Sequence, residues 1–216
     1  MLKNCKLMKQ YIVTVLAFLF FTQAGIAQST GTFTDSRDGQ TYKTISFKEA
    51  STTKTVTWMA QNLNYKVEGS YAYDDNEINR KELGLLYTWE AAKKACPNGW
   101  HLATDSEWAM LVDHFGGTDM AGEALKSDKG WNEDGNGTNS SGFDAPAGGH
   151  RKPDGSYFAQ GVLGIFWTSL PITVGSAWAW NFHYGGPPSS NKKNLKEAFR
   201  WDSQVSGAFS ARLVRD

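Results

Sequence analysis

The sequence predicts an α+β fold with small antiparallel sheets, two main helices and long loops. Three observations carry this. Short runs of β-branched and aromatic residues stand on both sides of two helix-like segments. Turn-forming residues separate the pieces at short intervals. A stretch rich in Gly, Asn, Asp and Ser, from Asp128 to Gly149, divides the chain. Strands, helices, loops and strands again is the segregated order of an α+β domain, not the alternation of a parallel sheet.

In chain order, Lys3, Lys6 and Lys9 lead into the apolar run Ile12–Phe21, and Gly25-Ile26-Ala27 follows. This is the layout of an export signal over residues 1–27. The ten residues of this run span about 15 Å as a helix, half of a ~30 Å hydrocarbon core. The run therefore reads as a cleaved leader, and no second such run follows, so no transmembrane span is expected in the mature chain. Residues 28–32 form a short lead and residues 33–216 a single domain.

Asp38-Gly39 is a turn signal between Thr32–Ser36 and Gln40–Phe47, which predicts a hairpin. Thr53–Met59 alternates apolar with polar residues and predicts a strand. Leu85–Ala95 has helical spacing, with Pro97-Asn98-Gly99 as its stop. Thr104 and Glu107 form a capping box ahead of an apolar face of Trp108, Leu111, Val112 and Phe115, closed by Gly116-Gly117. Ala121–Lys126 predicts a third, short helix. Gly164–Ser169, Ser176–His183, Ala198–Asp202 and Ala208–Arg215 read as strands.

The chain of 216 residues carries 22 Lys+Arg and 22 Asp+Glu. It has no basic excess with which to hold a nucleic-acid backbone, so no nucleic-acid partner is expected. Loss of residues 1–27 removes three lysines and no acid, leaving 19 Lys+Arg against 22 Asp+Glu. Cys5 leaves with the leader. Cys96 then stands alone, and no intrachain disulfide forms even in an oxidising compartment.

Two groups of residues are candidates for binding. Asn132, Asp134 and Asn136 place oxygen donors at alternate positions before Gly137, as hard-cation loops do, and Asn139 and Asp144 extend the set. Phe143 stands where an EF-hand has its bidentate Glu, so any calcium geometry here is of another kind. The other reading of the segment is a solvated loop held by its own Asx turns. The second group is Trp178, Trp180, Asn181, His183, Tyr184 and Asn191. Aromatic faces beside amide and imidazole donors are what sugar recognition uses. The competing reading makes these rings core, as expected for Trp58, Trp89, Trp100, Trp108 and Trp167. His101, His114, His150 and His183 have no metal-ligand spacing.

Several ordered blocks resemble one family. They are Thr34–Tyr42, Trp58–Tyr65, Gly84–Trp89, Cys96–Leu102 with Asp105–Trp108, Ser141–Phe143, Phe166–Ser169 and Phe209–Asp216. In order and spacing they are similar to the Fibrobacter succinogenes major paralogous domain of exported bacterial proteins, over nearly all of residues 33–216. More distantly, Trp100-His101-Leu102 with Glu107-Trp108 is similar to the formylglycine-generating, sulfatase-modifying branch of the C-type lectin fold. The resemblance implies a C-type-lectin-like architecture. This chain has Ala72 and Leu213 where the family often has cysteines, so both implied bridges are absent. The oxidase chemistry of the sulfatase-modifying branch uses a copper-holding cysteine pair, which a lone Cys96 does not supply.

These readings lead to an expectation of no enzymatic activity. The chain is expected to be a secreted or outer-surface binding or adhesion module for an extracellular glycan or protein, without an obligate cofactor and with calcium as a candidate ion. The alternative is a structural component of an extracellular or envelope assembly without a small-molecule ligand.

Overall fold

The computed structural model describes residues 28–48, 54–185 and 196–216. Residues 1–27, where a leader is expected, and the candidate Asn191 lie outside the described residues.

The chain opens with β1 (Gln28–Thr34) and β2 (Thr41–Lys48), antiparallel, with Thr34 opposite Thr41. The lead residues Gln28–Thr32 pair along β2 as the first part of β1. The turn between the strands is closed by Asp35 N–H donating to Gln40 O and Gly39 N–H donating to Asp35 O. Gly39 takes φ +76° there, the left-handed region that glycine enters without steric cost. Then follow β3 (Thr55–Met59), β4 (Ser70–Tyr71), a single 3-10 turn at Tyr73–Asp75 and α1 (Glu77–Leu83). β5 (Leu86–Thr88), α2 (Trp89–Lys94), β6 (Trp100–Leu102), α3 (Asp105–His114) and α4 (Ala121–Leu125) come next. The second half holds β7 (Gly148–Arg151), β8 (Tyr157–Gln160), β9 (Leu163–Thr173), β10 (Ser176–His183), β11 (Ala198–Gln204), β12 (Ala208–Ser210) and β13 (Leu213–Arg215).

The elements form an α+β fold on two sheets. The smaller is antiparallel, in the order β1-β2-β3-β13-β6. The larger runs β11-β10-β9-β7-β12-β5-β4, with β8 against β7. It is mixed, since β9 lies parallel to both β7 and β12. This corrects the expectation of purely antiparallel sheets.

Two segments differ from their predicted form. Leu85–Ala95 is not one helix. Leu86–Thr88 pairs with Ser210–Ala208, and the helix starts at Trp89, where the Thr88 hydroxyl accepts from Ala91 N–H. Cross-strand pairing overrides helical spacing here. Ala208–Arg215 is not one strand either. β12 lies in the larger sheet and β13 in the smaller, and the break falls at Ala211-Arg212, where the chain passes between sheets.

Period-two alternation along β9 and β10 builds two cores. Trp167 and Ala179 face the one that holds Tyr42, Tyr87, Trp100 and Leu213. Phe166, Trp180 and Phe182 face the other, with Trp58, Trp108 and Phe143. Trp108 sits 5.0 Å from Trp58 and 5.5 Å from Phe143, both edge-on, and such pairs add about 0.5–1.5 kcal/mol each beyond burial. Trp58, Trp89, Trp100, Trp108 and Trp167 are all buried, as expected.

Candidate functional site

The C-terminal aromatic set does not form an open face. Trp180 is buried in the second core, and its indole N–H donates to Asp105 Oδ1 at 3.1 Å. Asn181 is fully buried on the opposite face of β10, its amide donating to Ala179 O. These two are core residues, which corrects their assignment as ligand contacts. Trp178 is half-buried with the Arg200 guanidinium 4.2 Å above its ring. His183 sits between Glu197 and the Gly185 N–H, and Tyr184 packs against the second core.

The Asx-rich loop is held from within. Asn136 Oδ1 accepts from Trp131 N–H and Asn139 Oδ1 from Asp144 N–H, both at 3.0 Å. Two buried cations grip its backbone. Lys126 Nζ donates to Gly135 O at 2.6 Å and to His183 O at 3.1 Å. Arg212 donates to Phe143 O and Asp144 O, each at 2.7 Å. Carbonyl oxygens that a calcium ion would gather are gathered here by side-chain nitrogens. Among the described residues no three His, Cys, Asp or Glu side chains converge as a metal site.

What the fold does bring together is a polar cleft of about 510 Å³ that sequence reasoning missed. Its walls are Gln40 and the start of β2 (Tyr42, Lys43), the segment after β3 (Gln61, Asn62, Asn64), the end of α1 (Arg80, Lys81, Glu82) and the chain around Lys129 and Asp144, with Arg212 at the floor. The size is within the roughly 300–1,000 Å³ of small-ligand sites. α1 leaves the wall at Gly84, whose φ is +75° and where a Cβ would lie 2.9 Å from Leu63 O. Only glycine lets the helix end against the floor.

The lining side chains fix one another. Asn64 Nδ2 donates to Gln40 Oε1 at 3.1 Å, and Arg80 Nε donates to Asn64 Oδ1 at 2.8 Å. The Tyr42 hydroxyl accepts from Asn64 N–H, and Gln61 Oε1 accepts from Lys43 N–H. At the floor Arg212 Nε donates to Asn62 Oδ1 at 2.7 Å, while Asn62 Nδ2 donates to Leu83 O. Each glutamine thus spends its oxygen on the protein and keeps its NH₂ without a partner among the described residues. Burial pushes Tyr42 up to about 12, so its hydroxyl stays protonated and able to donate.

Cys96 stands apart from the cleft. Its thiol donates to Ala92 O, and burial pushes it up to about 11. A thiol so raised is a packed small hydrophobe, not an activated nucleophile. His101 is held between Glu107 and Asp216.

Comparison with known proteins places a family model, the Fibrobacter succinogenes major domain, over residues 43–215. No curated protein and no solved structure matches the chain.

Proposed function

The chain belongs to the Fibrobacter succinogenes major domain family, and on that footing we propose that it is an exported, non-catalytic binding module that holds a glycan in the polar cleft. We read its α+β frame as C-type-lectin-like, a stable core carrying long loops, and its place of action as the outer surface or the medium after leader removal.

One observation carries the reading. Gln40 and Gln61 have their oxygens committed to Asn64 and Lys43, which leaves two NH₂ groups without a partner among the described residues in a cleft of ligand size. Donors fixed before the ligand arrives lose little entropy on binding, and sugar hydroxyls accept from them. The raised Cys96 thiol supports a role without covalent chemistry.

A glycan array probed with the mature chain, followed by calorimetry on any hit, tests this. Gln40→Ala and Gln61→Ala should each weaken binding about three- to tenfold, the loss of one neutral hydrogen bond. Trp178→Ala should leave it unchanged. Loss of binding in Trp178→Ala with both glutamine variants unaffected would move the site to the C-terminal loops. An array without any hit would remove the glycan reading.

A second reading, a structural component of an extracellular or envelope assembly, is favoured by the β9–β10 arm, which exposes Leu170, Ile172 and Val174.

A further inference from the structure

We infer that the cleft selects an acidic saccharide, one whose ring hydroxyls meet the amides and whose carboxylate or sulfate group meets the cations. This rests on the reading of the cleft as a glycan site. The lining has five cationic side chains, Lys43, Arg80, Lys81, Lys129 and Arg212, against two acids, Glu82 and Asp144. The whole chain has equal numbers of basic and acidic residues, so the surplus is local. Lys43, Lys81 and Lys129 are exposed at the rim, and among the described residues none has a carboxylate within ion-pair distance. Arg80 is half-buried and held in place by Asn64 and by Glu77 at 3.1 Å.

The floor strengthens the asymmetry. Arg212 is fully buried, and the groups that accept its hydrogen bonds are all neutral: Asn62 Oδ1 and the carbonyls of Met59, Phe143 and Asp144. It also lies 4.4 Å from the Phe143 ring. Dipoles and ring faces satisfy its geometry without cancelling its charge, so a positive potential extends into the cleft. Burial lowers its pKa to about 9, with the charge of Asp144 working the other way. Asp144 offsets that charge only in part, so an anion in the cleft adds counter-charge, while a neutral sugar adds none.

The test is calorimetry on the mature chain at low salt with four probes: trigalacturonic acid, a heparin tetrasaccharide, cellotriose and inorganic phosphate. At least one acidic saccharide should bind tenfold or more tightly than cellotriose, and added salt should weaken it. Preference for trigalacturonic acid assigns the carboxylate and preference for heparin the sulfate. The exposed-rim double variant Lys43→Gln/Lys129→Gln should weaken the acidic probe about tenfold, several-fold more than it weakens cellotriose. Equal affinity for cellotriose overturns the acidic preference and leaves the glycan reading standing. Phosphate binding as tight as the acidic saccharide overturns it in favour of a bare anion site. Acidic binding untouched by the double variant places the contacts elsewhere and also overturns it. No binding by any saccharide ends both readings.

Discussion

At the scale of single residues, the protein orders its longest loop with its own cations. Lys126 and Arg212 are both fully buried, and each hands its N–H groups to backbone carbonyls of the Gly135–Asp144 stretch. The sequence pattern that reads as a calcium loop is real in its donors, but the oxygens of Asn136 and Asn139 are already taken by N–H groups of the loop itself. Arg212 and Lys126 differ in what their loss would leave behind. Arg212→Met strands four acceptors, three of them buried. At about 1–3 kcal/mol for an unsatisfied group, partly relieved by removing a buried charge, the net loss should be about 3–5 kcal/mol. Lys126→Met strands two acceptors, and the relief of an ammonium already pushed down to about 8 by burial offsets more of the loss. Urea titrations should therefore rank Arg212→Met well below Lys126→Met, and Lys126→Met below wild type. In the same material, millimolar calcium or EGTA should leave the melting temperature unmoved. A rise of several degrees with calcium would show the ion binding the native state and would restore the loop as a metal site.

At the scale of elements, α3 shows how a cap doubles as a tether. Thr104 and Glu107 close the capping box expected from their spacing, with the Thr104 hydroxyl accepting from Glu107 N–H and the Glu107 carboxylate accepting from Thr104 N–H. The same carboxylate meets His101 Nε2 at 2.9 Å, and His101 Nδ1 meets Asp216 Oδ1 at 2.7 Å. One imidazole thus ties β6, the start of α3 and the residue after β13. With an acceptor at each ring nitrogen, the imidazolium donates twice. Burial opposes that charge, but the hydrogen bond to Asp216 and the charge of Glu107 outweigh it and hold the pKa above the ordinary value. A raised histidine contributes its full stabilisation below about pH 6.5 and loses it as pH climbs through the folded value. His114 and His150 act in the opposite sense. Burial lowers both, so they favour the fold above about pH 6.5 and oppose it as acid protonates the unfolded chain. The histidine terms separate in His101→Gln. Its deficit in unfolding free energy relative to wild type should be about 1 kcal/mol at pH 6 and shrink toward zero on the alkaline side. A deficit that is equal at pH 6 and pH 9, or larger at pH 9, would show that the charged form of His101 is not what the contacts favour.

At the scale of the whole molecule, what was legible in the sequence follows from which interactions are local. The hairpin at Asp38-Gly39, the α3 cap and the β10 strand are local, and they stand where their residues predict them. β5 was not legible, because Leu86–Thr88 becomes a strand through partners at Ala208–Ser210, at the far end of the chain. α1 was missed for a different reason. Glu77–Leu83 has no buried residue, so there is no apolar stripe to read, and its Asn76 cap is its one sequence signal. The cleft was hidden although its parts were in view. Gln40, Gln61, Asn64 and Arg212 all belong to blocks that carry the family resemblance, yet they come from three separate segments that only the folded chain brings together. The aromatic residues misled because a strand buried on both faces, as β10 is, spends Trp180 and Asn181 on packing. What remains exposed and apolar decides between a free-standing module and a part of an assembly. Val174 is fully exposed at the tip of the β9–β10 arm, and Leu170, Ile172 and Trp201 are 44%, 36% and 43% exposed. Four side chains, three of them partly covered, offer roughly half of the ~800 Å² per partner that a stable interface needs. The arm alone is therefore too small to hold two copies together, and a chain of residues 28–216 should sediment as a monomer at tens of micromolar. A concentration-dependent dimer that Val174→Lys dissociates would show that the arm finds further surface to bury, and would move the protein from the binding reading to the assembly one.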